Sequence, residues 1–212
     1  MPRGKALTFD LQRAANLDAA AHLFAHRSFA GTSMSDLAKA CGVSKALLYH
    51  YYRDKEHLLF DTADSYVDSL IGIVAEVKAR SLPPAEYFAT LVSRFMEAYE
   101  HSQTRHMVLV QDVKFLRERE RTRILAKERQ VVDEFALAIG ALKPRFRKKA
   151  MRVPLAMILF GMINWTFTWL RAAGPLTHQD MSKLVTEIFL SGVTCEASTA
   201  AQDKAAAHRM TT

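Results

Sequence analysis

His22 and His26 stand four residues apart, so a helix would put both imidazoles on one face, as two ligands of a zinc ion require. His101 and His106 offer at best a second pair. Neither pair has a third ligand beside it in sequence, so these read as helix histidines and no metal is expected. Cys41 is a candidate redox thiol, but beside Gly42 a small packing residue is the simpler role. A nucleophile elbow, a phosphate-cradling glycine loop and a zinc-protease His/Glu pattern are all missing, so neither catalysis nor a cofactor is expected. What remains is recognition chemistry. Between Thr32 and Tyr52, Ser33 and Ser44 each precede a short apolar-periodic run, and Gly42 lies between the runs. The free N–H groups at two such helix starts suit phosphate oxygens. Lys45, Ala46, Leu47, Tyr49 and His50 then fall on the outer or leading face of the second helix, where they can enter a major groove.

These residues need a frame. The chain has 212 residues with only 8 Gly and 6 Pro, too few for the closely spaced turns of an all-β sandwich. Half the residues are hydrophobic and 24% are charged, which excludes a disordered or collagen-like chain. An all-α fold follows. Its helices are expected from Asp10 (capped by Thr8 or Asp10) to His26, with Ala14, Leu17, Ala21 and Phe24 on one face. Short helices Met34–Ala40 and Lys45–Tyr51 come next, then a long one from an Asp54 cap to Arg80. Ser81-Leu82-Pro83-Pro84 reads as a linker. Further helices are expected over 85–100, 104–115, 117–142, 148–172 and 177–194. Within the short pair, Leu37, Ala38, Val43 and Leu48 must face inward, and small Ala38 and Cys41 let the helices approach.

Charge says less than spacing. The net is +7, yet residues 1–60 carry 8 basic and 5 acidic groups, only +3. Residues 143–152 hold six basic groups and no acid. Two cysteines, with no apolar core for a secretory signal in Met1 to Phe9, point to a reducing, cytoplasmic setting. Val153 to Leu170 is apolar enough to raise the membrane question, but Pro154, Asn164, Thr166 and Thr168 favour a buried or subunit-facing helix, so no membrane partner is expected. An adaptor that binds protein through its apolar helices is the rival to a DNA-binding regulator.

The stretch from Leu11 to Leu59 resembles the N-terminal domain of the TetR family of bacterial transcriptional regulators. The residues that carry the likeness are Ala20-Ala21-x-Leu23-Phe24, Phe29, Gly31-Thr32-Ser33, Asp36-Leu37-Ala38, Gly42-Val43-Ser44-Lys45, Leu48-Tyr49-His50-Tyr51 and Lys55-Glu56-x-Leu58-Leu59. Ser28 departs from the family's usual glycine and implies a strained or altered turn. The resemblance implies about nine helices. Residues 1–55 would be a helix-turn-helix DNA-binding domain, 56–194 a ligand-binding and dimerisation domain, and 195–212 a disordered tail. Thr32 and Ser33 would meet phosphate. Ser44, Lys45, Ala46, Leu47, Tyr49, His50 and Tyr51 would form the recognition helix or its flank, and Lys55 would hold the DNA backbone. Tyr49 and Lys55 would position, whereas Lys45, Ala46, Leu47 and His50 would read bases of double-stranded, pseudo-palindromic operator DNA.

The resemblance further implies a homodimer through the helices near 148–172 and 177–194, with Ala156, Gly161, Gly192, Leu184 and Ile188 at the contact. It also implies a repressor released by a small hydrophobic effector. Gly161-x-x-Asn164-Trp165 is similar to segments in members that sense acyl- or aryl-coenzyme A thioesters, such as regulators of phenylacetate or fatty-acid catabolism. Phenylacetyl-coenzyme A is the specific expectation; an efflux-pump regulator sensing lipophilic compounds is the alternative. The expected ligand-binding residues are Phe88, Phe95, Tyr99, Met107, Gln111, Phe115, Asn164, Trp165 and Thr168. Arg117, Arg119, Arg121, Arg123 and the 143–152 cluster would give a cationic mouth for phosphates.

Overall fold

The computed structural model describes residues 3–171 and 173–194; the tail expected over 195–212 lies outside the described residues. Among these residues are nine α-helices, three short 3-10 turns and no strand. The helices are α1 (Arg3–Arg27), α2 (Met34–Ala40), α3 (Lys45–Tyr51), α4 (Lys55–Ala79) and α5 (Pro84–His101). They continue as α6 (Gln103–Asp112), α7 (Glu118–Leu142), α8 (Lys149–Asn164) and α9 (His178–Thr194).

Two boundaries differ from expectation. α1 already runs at Arg3, so its start lies before both expected caps, Thr8 and Asp10, which fall inside the helix. Between Arg3 and Asp10 only Gly4 opposes a helix, at about 1 kcal/mol, and the following turns outweigh it. α8 stops at Asn164 and tightens into a 3-10 turn over Trp165–Thr168 instead of running to 172. The hydroxyls of Thr166 and Thr168 donate to the carbonyls of Ile163 and Trp165, each at 2.7 Å, offering the backbone a local alternative to the helix. The Asn164 carbonyl, which a continuing helix would use at Thr168, faces the His106 ring instead.

The first three helices close on one small core. Leu17, Ala20, Ala21 and Phe24 of α1 are buried with Leu37, Ala38 and Leu48, while Ala14 is exposed and not part of that face. Ser33 caps α2 in a reciprocal box: its hydroxyl accepts from the Asp36 N–H at 3.2 Å, and its own N–H donates to the Asp36 carboxylate at 3.0 Å. The Ser33 hydroxyl also donates to the Asp36 carboxylate at 2.5 Å, and that bond first, then the one from the Ser33 N–H, holds the Asp36 carboxyl below the usual carboxylate range. Ser44 caps α3 at Leu47, and Asp54 caps α4 at His57. Gly42 joins α2 to α3 at φ +66°, the left-handed region where a Cβ is disfavoured. Ser28 sits at φ +63°, which explains why glycine is the easier residue there. Its carbonyl accepts the Thr32 hydroxyl at 2.8 Å and its own hydroxyl accepts the Gly31 N–H, tying the strained residue into the turn.

No linker separates the small core from the rest. α4 packs on α1 near its start and on α5, α6 and α7 beyond, so one 25-residue helix belongs to both halves. α5 pairs with α9 and α7 with α8, enclosing a second core around Phe88, Phe95, Phe135 and Ile139. Ala156 is buried in this core, which corrects its expected place at a dimer contact.

Candidate nucleic-acid interface and ligand chamber

α3 is anchored by one side chain. Leu48 is fully buried, whereas Leu47, Tyr49 and Tyr51 are exposed, together with Ser44, Lys45, Ala46 and His50. Rotation about the helix thus turns one apolar residue inward and leaves the others for a partner. Lys45 Nζ lies 6.0 Å from the Tyr49 ring centroid, and the His50 and Tyr51 rings meet edge to face at 5.5 Å. The expected reading residues are all exposed.

Two flanking residues behave differently from expectation. Thr32 is 2% exposed and its hydroxyl donates to the Ser28 carbonyl, so its side chain builds the turn and does not reach outward. Lys55 Nζ donates to the carbonyls of Phe29 and Thr32 at 3.0 and 3.2 Å and sits 4.3 Å over the Phe29 ring. Two of its three N–H groups are therefore engaged inside the protein. It clamps the turn that aims α2. Lys55→Met should destabilise the first three helices by about 2 kcal/mol, because two charge-assisted bonds vanish and a buried carbonyl is orphaned. Operator affinity should fall about tenfold while the slope of log affinity against log salt stays unchanged, since a phosphate contact would lower that slope by about one. Affinity titrations across salt concentrations check both.

Behind this surface a chamber of about 210 Å³ opens between α4, α5, α6, α7 and α8. Val67, Leu70, Phe95, Leu109, Val131 and Phe160 form much of its apolar wall. Polar groups gather at Tyr99, His106, Asn164 and Glu128. The Tyr99 hydroxyl donates to Asn164 Oδ1 at 2.8 Å, and its ring stacks on His106 at 3.9 Å. Burial pushes the Tyr99 phenol well up and the His106 imidazole down to about 4, and it raises the Glu128 carboxyl. No Lys or Arg is among the lining residues.

Of the nine residues expected to bind ligand, Phe95, Tyr99 and Asn164 line this chamber. Phe88 is buried but stacks on Phe189 of α9 at 5.2 Å, as core. Phe115 stacks on Phe29 at 5.2 Å, joining the two halves. Met107 and Gln111 do not line the chamber, and Trp165 and Thr168 are exposed. The arginine mouth is not assembled either: Arg117 pairs with Asp54 at 2.8 Å and Arg123 with Asp64 at 3.0 Å. The 143–152 cluster lies at the α7–α8 connection and contributes nothing to the lining. Sequence reasoning missed His106 and Glu128 as chamber residues. The signal for His106 was its place before the apolar run Met107-Val108-Leu109-Val110.

Burial of neutral His106 has a pH signature. Its folded value, about 4, is depressed below the ordinary 6.5, so the stability it contributes is present above pH 6.5 and is lost as pH falls towards 4. The loss should approach roughly 3 kcal/mol. Glu128, shifted upward, acts in the opposite sense over its own range. Denaturation curves of the wild type minus those of His106→Phe should isolate the histidine slope.

No group of three His, Cys, Asp or Glu side chains capable of holding a metal occurs among the described residues. Burial raises the Cys41 thiol, against a role as a reactive thiolate. Lys149–Thr168 is long and apolar enough to cross a membrane by length and composition, with 28% of its most apolar window buried.

Comparison with known proteins gives a consistent picture. Residues 17–62 match the family model described as bacterial regulatory proteins, tetR family, and residues 81–193 match the tetracyclin repressor-like C-terminal domain. The HTH-type transcriptional repressor KstR2 of Rhodococcus jostii is 29% identical over 182 residues, spanning 84% of this chain and 88% of the relative. The crystal structure of a TetR-family transcriptional regulator from Bordetella parapertussis is 34% identical with a TM-score of 0.80, covering 84% of this chain and 93% of that one. AibR in complex with isovaleryl coenzyme A and operator DNA shares the fold at a TM-score of 0.75 and 23% identity, over 84% and 97% of the two chains.

Proposed function

The chain belongs to the tetR family of bacterial regulatory proteins, and from that premise we propose a homodimeric repressor of transcription, released from a pseudo-palindromic operator by a small apolar effector. Like its relatives it is a regulator and not an enzyme. Residues 1–55 act as the DNA-binding domain, and 56–194 as the effector and dimerisation domain. The observation that carries this reading is α3, held by buried Leu48 while Lys45, Ala46, Leu47, Tyr49 and His50 stay exposed. Ser33 and Ser44 place two helix starts beside these residues, where phosphates meet backbone N–H groups.

The effector enters the chamber lined by Phe95, Tyr99, His106 and Asn164. An acyl or aryl group suits its size and apolar wall, with the rest of a coenzyme A thioester outside; the isovaleryl coenzyme A bound by AibR supports that class. Phenylacetyl-coenzyme A is the first candidate. The absence of Lys and Arg from the lining favours a second reading, a wholly lipophilic compound of the kind sensed by efflux regulators.

α6 joins chamber to DNA-binding half. It carries His106, and the adjacent Arg105, itself largely buried, donates to Asp18 at 2.7 Å and to the Ala14 carbonyl of α1. A ligand that favours one position of α6 selects one position of α1, through differential affinity for the two states. Selecting bound fragments from random DNA, then adding phenylacetyl-, benzoyl-, isovaleryl- and long-chain acyl-coenzyme A in calorimetry and release assays, tests the reading. A palindromic site released by one of them is expected. Binding without release by any would remove the thioester class, and no DNA binding at all would remove the regulator.

A further inference from the structure

Two polar groups of the chamber wall, on His106 and Asn164, have unmet hydrogen-bonding capacity and together describe a ligand group; a third, on Tyr66, packs against His106 outside the lining. His106 is 2% exposed, and its Nδ1 is buried without a partner. Its Nε2 faces the Asn164 carbonyl at 3.4 Å. A carbonyl only accepts, so Nε2 carries the proton and Nδ1 is a bare lone pair. The Tyr66 hydroxyl is also buried without a partner, on a ring that meets the same imidazole edge to face at 6.1 Å. Asn164 has its Oδ1 engaged by Tyr99, which leaves its Nδ2 hydrogens without a bond among the described residues. The wall therefore holds one orphan acceptor, His106 Nδ1, and one open donor, Asn164 Nδ2.

Resting on the proposal that this chamber binds the effector, we propose that the group it selects is an uncharged hydroxyl on an apolar skeleton, an alcohol or phenol, donating to His106 Nδ1 and accepting from Asn164 Nδ2. Only a hydroxyl does both with one oxygen. A thioester carbonyl alone would accept from Asn164 and leave Nδ1 unmet, so within the thioester class a hydroxylated acyl or aryl group is favoured over phenylacetyl-coenzyme A itself. A carboxylate or phosphate would enter a wall with no Lys or Arg and with neutral His106, so anions are excluded from this part of the site. An amine would meet Glu128 but brings no acceptor for Asn164 Nδ2.

Ligand-observed NMR on the full-length protein with 2-phenylethanol and ethylbenzene, identical except for the hydroxyl, decides the matter. Without polar partners the hydroxyl costs desolvation and the hydrocarbon binds better; with them the alcohol should win by at least about tenfold. That preference should disappear in His106→Phe. The His106 Nδ1 resonance of nitrogen-15-labelled wild type should move with the alcohol and stay put with ethylbenzene, a readout that packing alone does not give and that needs no folded variant. Equal or tighter binding of ethylbenzene overturns the hydroxyl while leaving the chamber a ligand site. An Nδ1 resonance already hydrogen-bonded in the free protein and unmoved by the alcohol means a resident water, and also overturns it. Binding of neither compound removes the chamber and the hydroxyl together.

Discussion

Ile158→Glu with Ile188→Glu should convert the protein to a monomer and lower operator affinity at least about a hundredfold, the avidity gained when two linked half-sites are read at once. Ile158 is 58% exposed on α8 and Ile188 53% exposed on α9. They do not stand alone. Met151, Pro154 and Gly161 recur with Ile158 at helical spacing on the exposed side of α8, exposed Trp165 follows in the 3-10 turn, and Leu184 and Gly192 continue the line of Ile188. Among the described residues, no other element comes within 4 Å of the space a side chain would take at Gly161 or Gly192, so both helices can approach another pair closely. An apolar face of this extent on a chain with a net charge of +7 calls for a covering partner, and a second copy placed by twofold symmetry would cover it. In such an interface each substitution acts twice, and four buried glutamates have no cation to pair with. Because neither isoleucine belongs to the core, monomer stability should hardly change. Sedimentation equilibrium and operator titration check the two halves of the expectation; a dimer that survives both substitutions would place the interface elsewhere.

The DNA-binding half was legible because its signals are local. Ser33 with Asp36, Ser44 and Gly42 mark helix starts and a left-handed turn within a few residues of one another, and the structure keeps each of them. Ser28 was legible as a strained residue only through the resemblance, as a departure from the family's usual glycine. Lys55 was not, since its partners Phe29 and Thr32 meet it only after α1 and α4 converge on the turn, whereas Thr32 is held by the local carbonyl of Ser28, four residues before it. Residue type alone made Lys55 a phosphate ligand; the two carbonyls make it a clamp.

The chamber was only partly legible because it is built from five helices. A buried aromatic looks the same in sequence whether it lines a cavity or fills a core. Phe95 and Phe88 sit seven residues apart on the same face of α5, yet only Phe95 borders the chamber, because Phe189 of α9 covers Phe88. Asn164 was singled out as a polar residue in an apolar helix, and it does end that helix and border the chamber. His106 was weighed against His101 as half of a metal pair, but His101 is exposed and His106 is buried on the next helix. The arginines of α7 carried the charge a phosphate needs, and α4 supplies the carboxylates that engage Arg123 while Asp54 engages Arg117.

Ala46→Glu should abolish specific DNA binding, by at least about a hundredfold, while leaving the fold as stable as before or slightly more so. Ala46 is exposed at the second position of α3, two residues after the Ser44 cap. A carboxylate there faces the positive end of the helix, worth a few tenths to about 1 kcal/mol in favour of folding. α3 has no acidic residue in its first turn, so that stabilisation is not already present. On DNA the same carboxylate would stand between phosphates and near Lys45, removing one positive contact and adding repulsion from the backbone. The two effects have opposite signs, so they separate recognition from folding in a single variant. Thermal denaturation should move upward or not at all while operator titration loses saturation. If Ala46→Glu still bound the operator with wild-type affinity, α3 would not be the element that enters the groove, whatever its exposure.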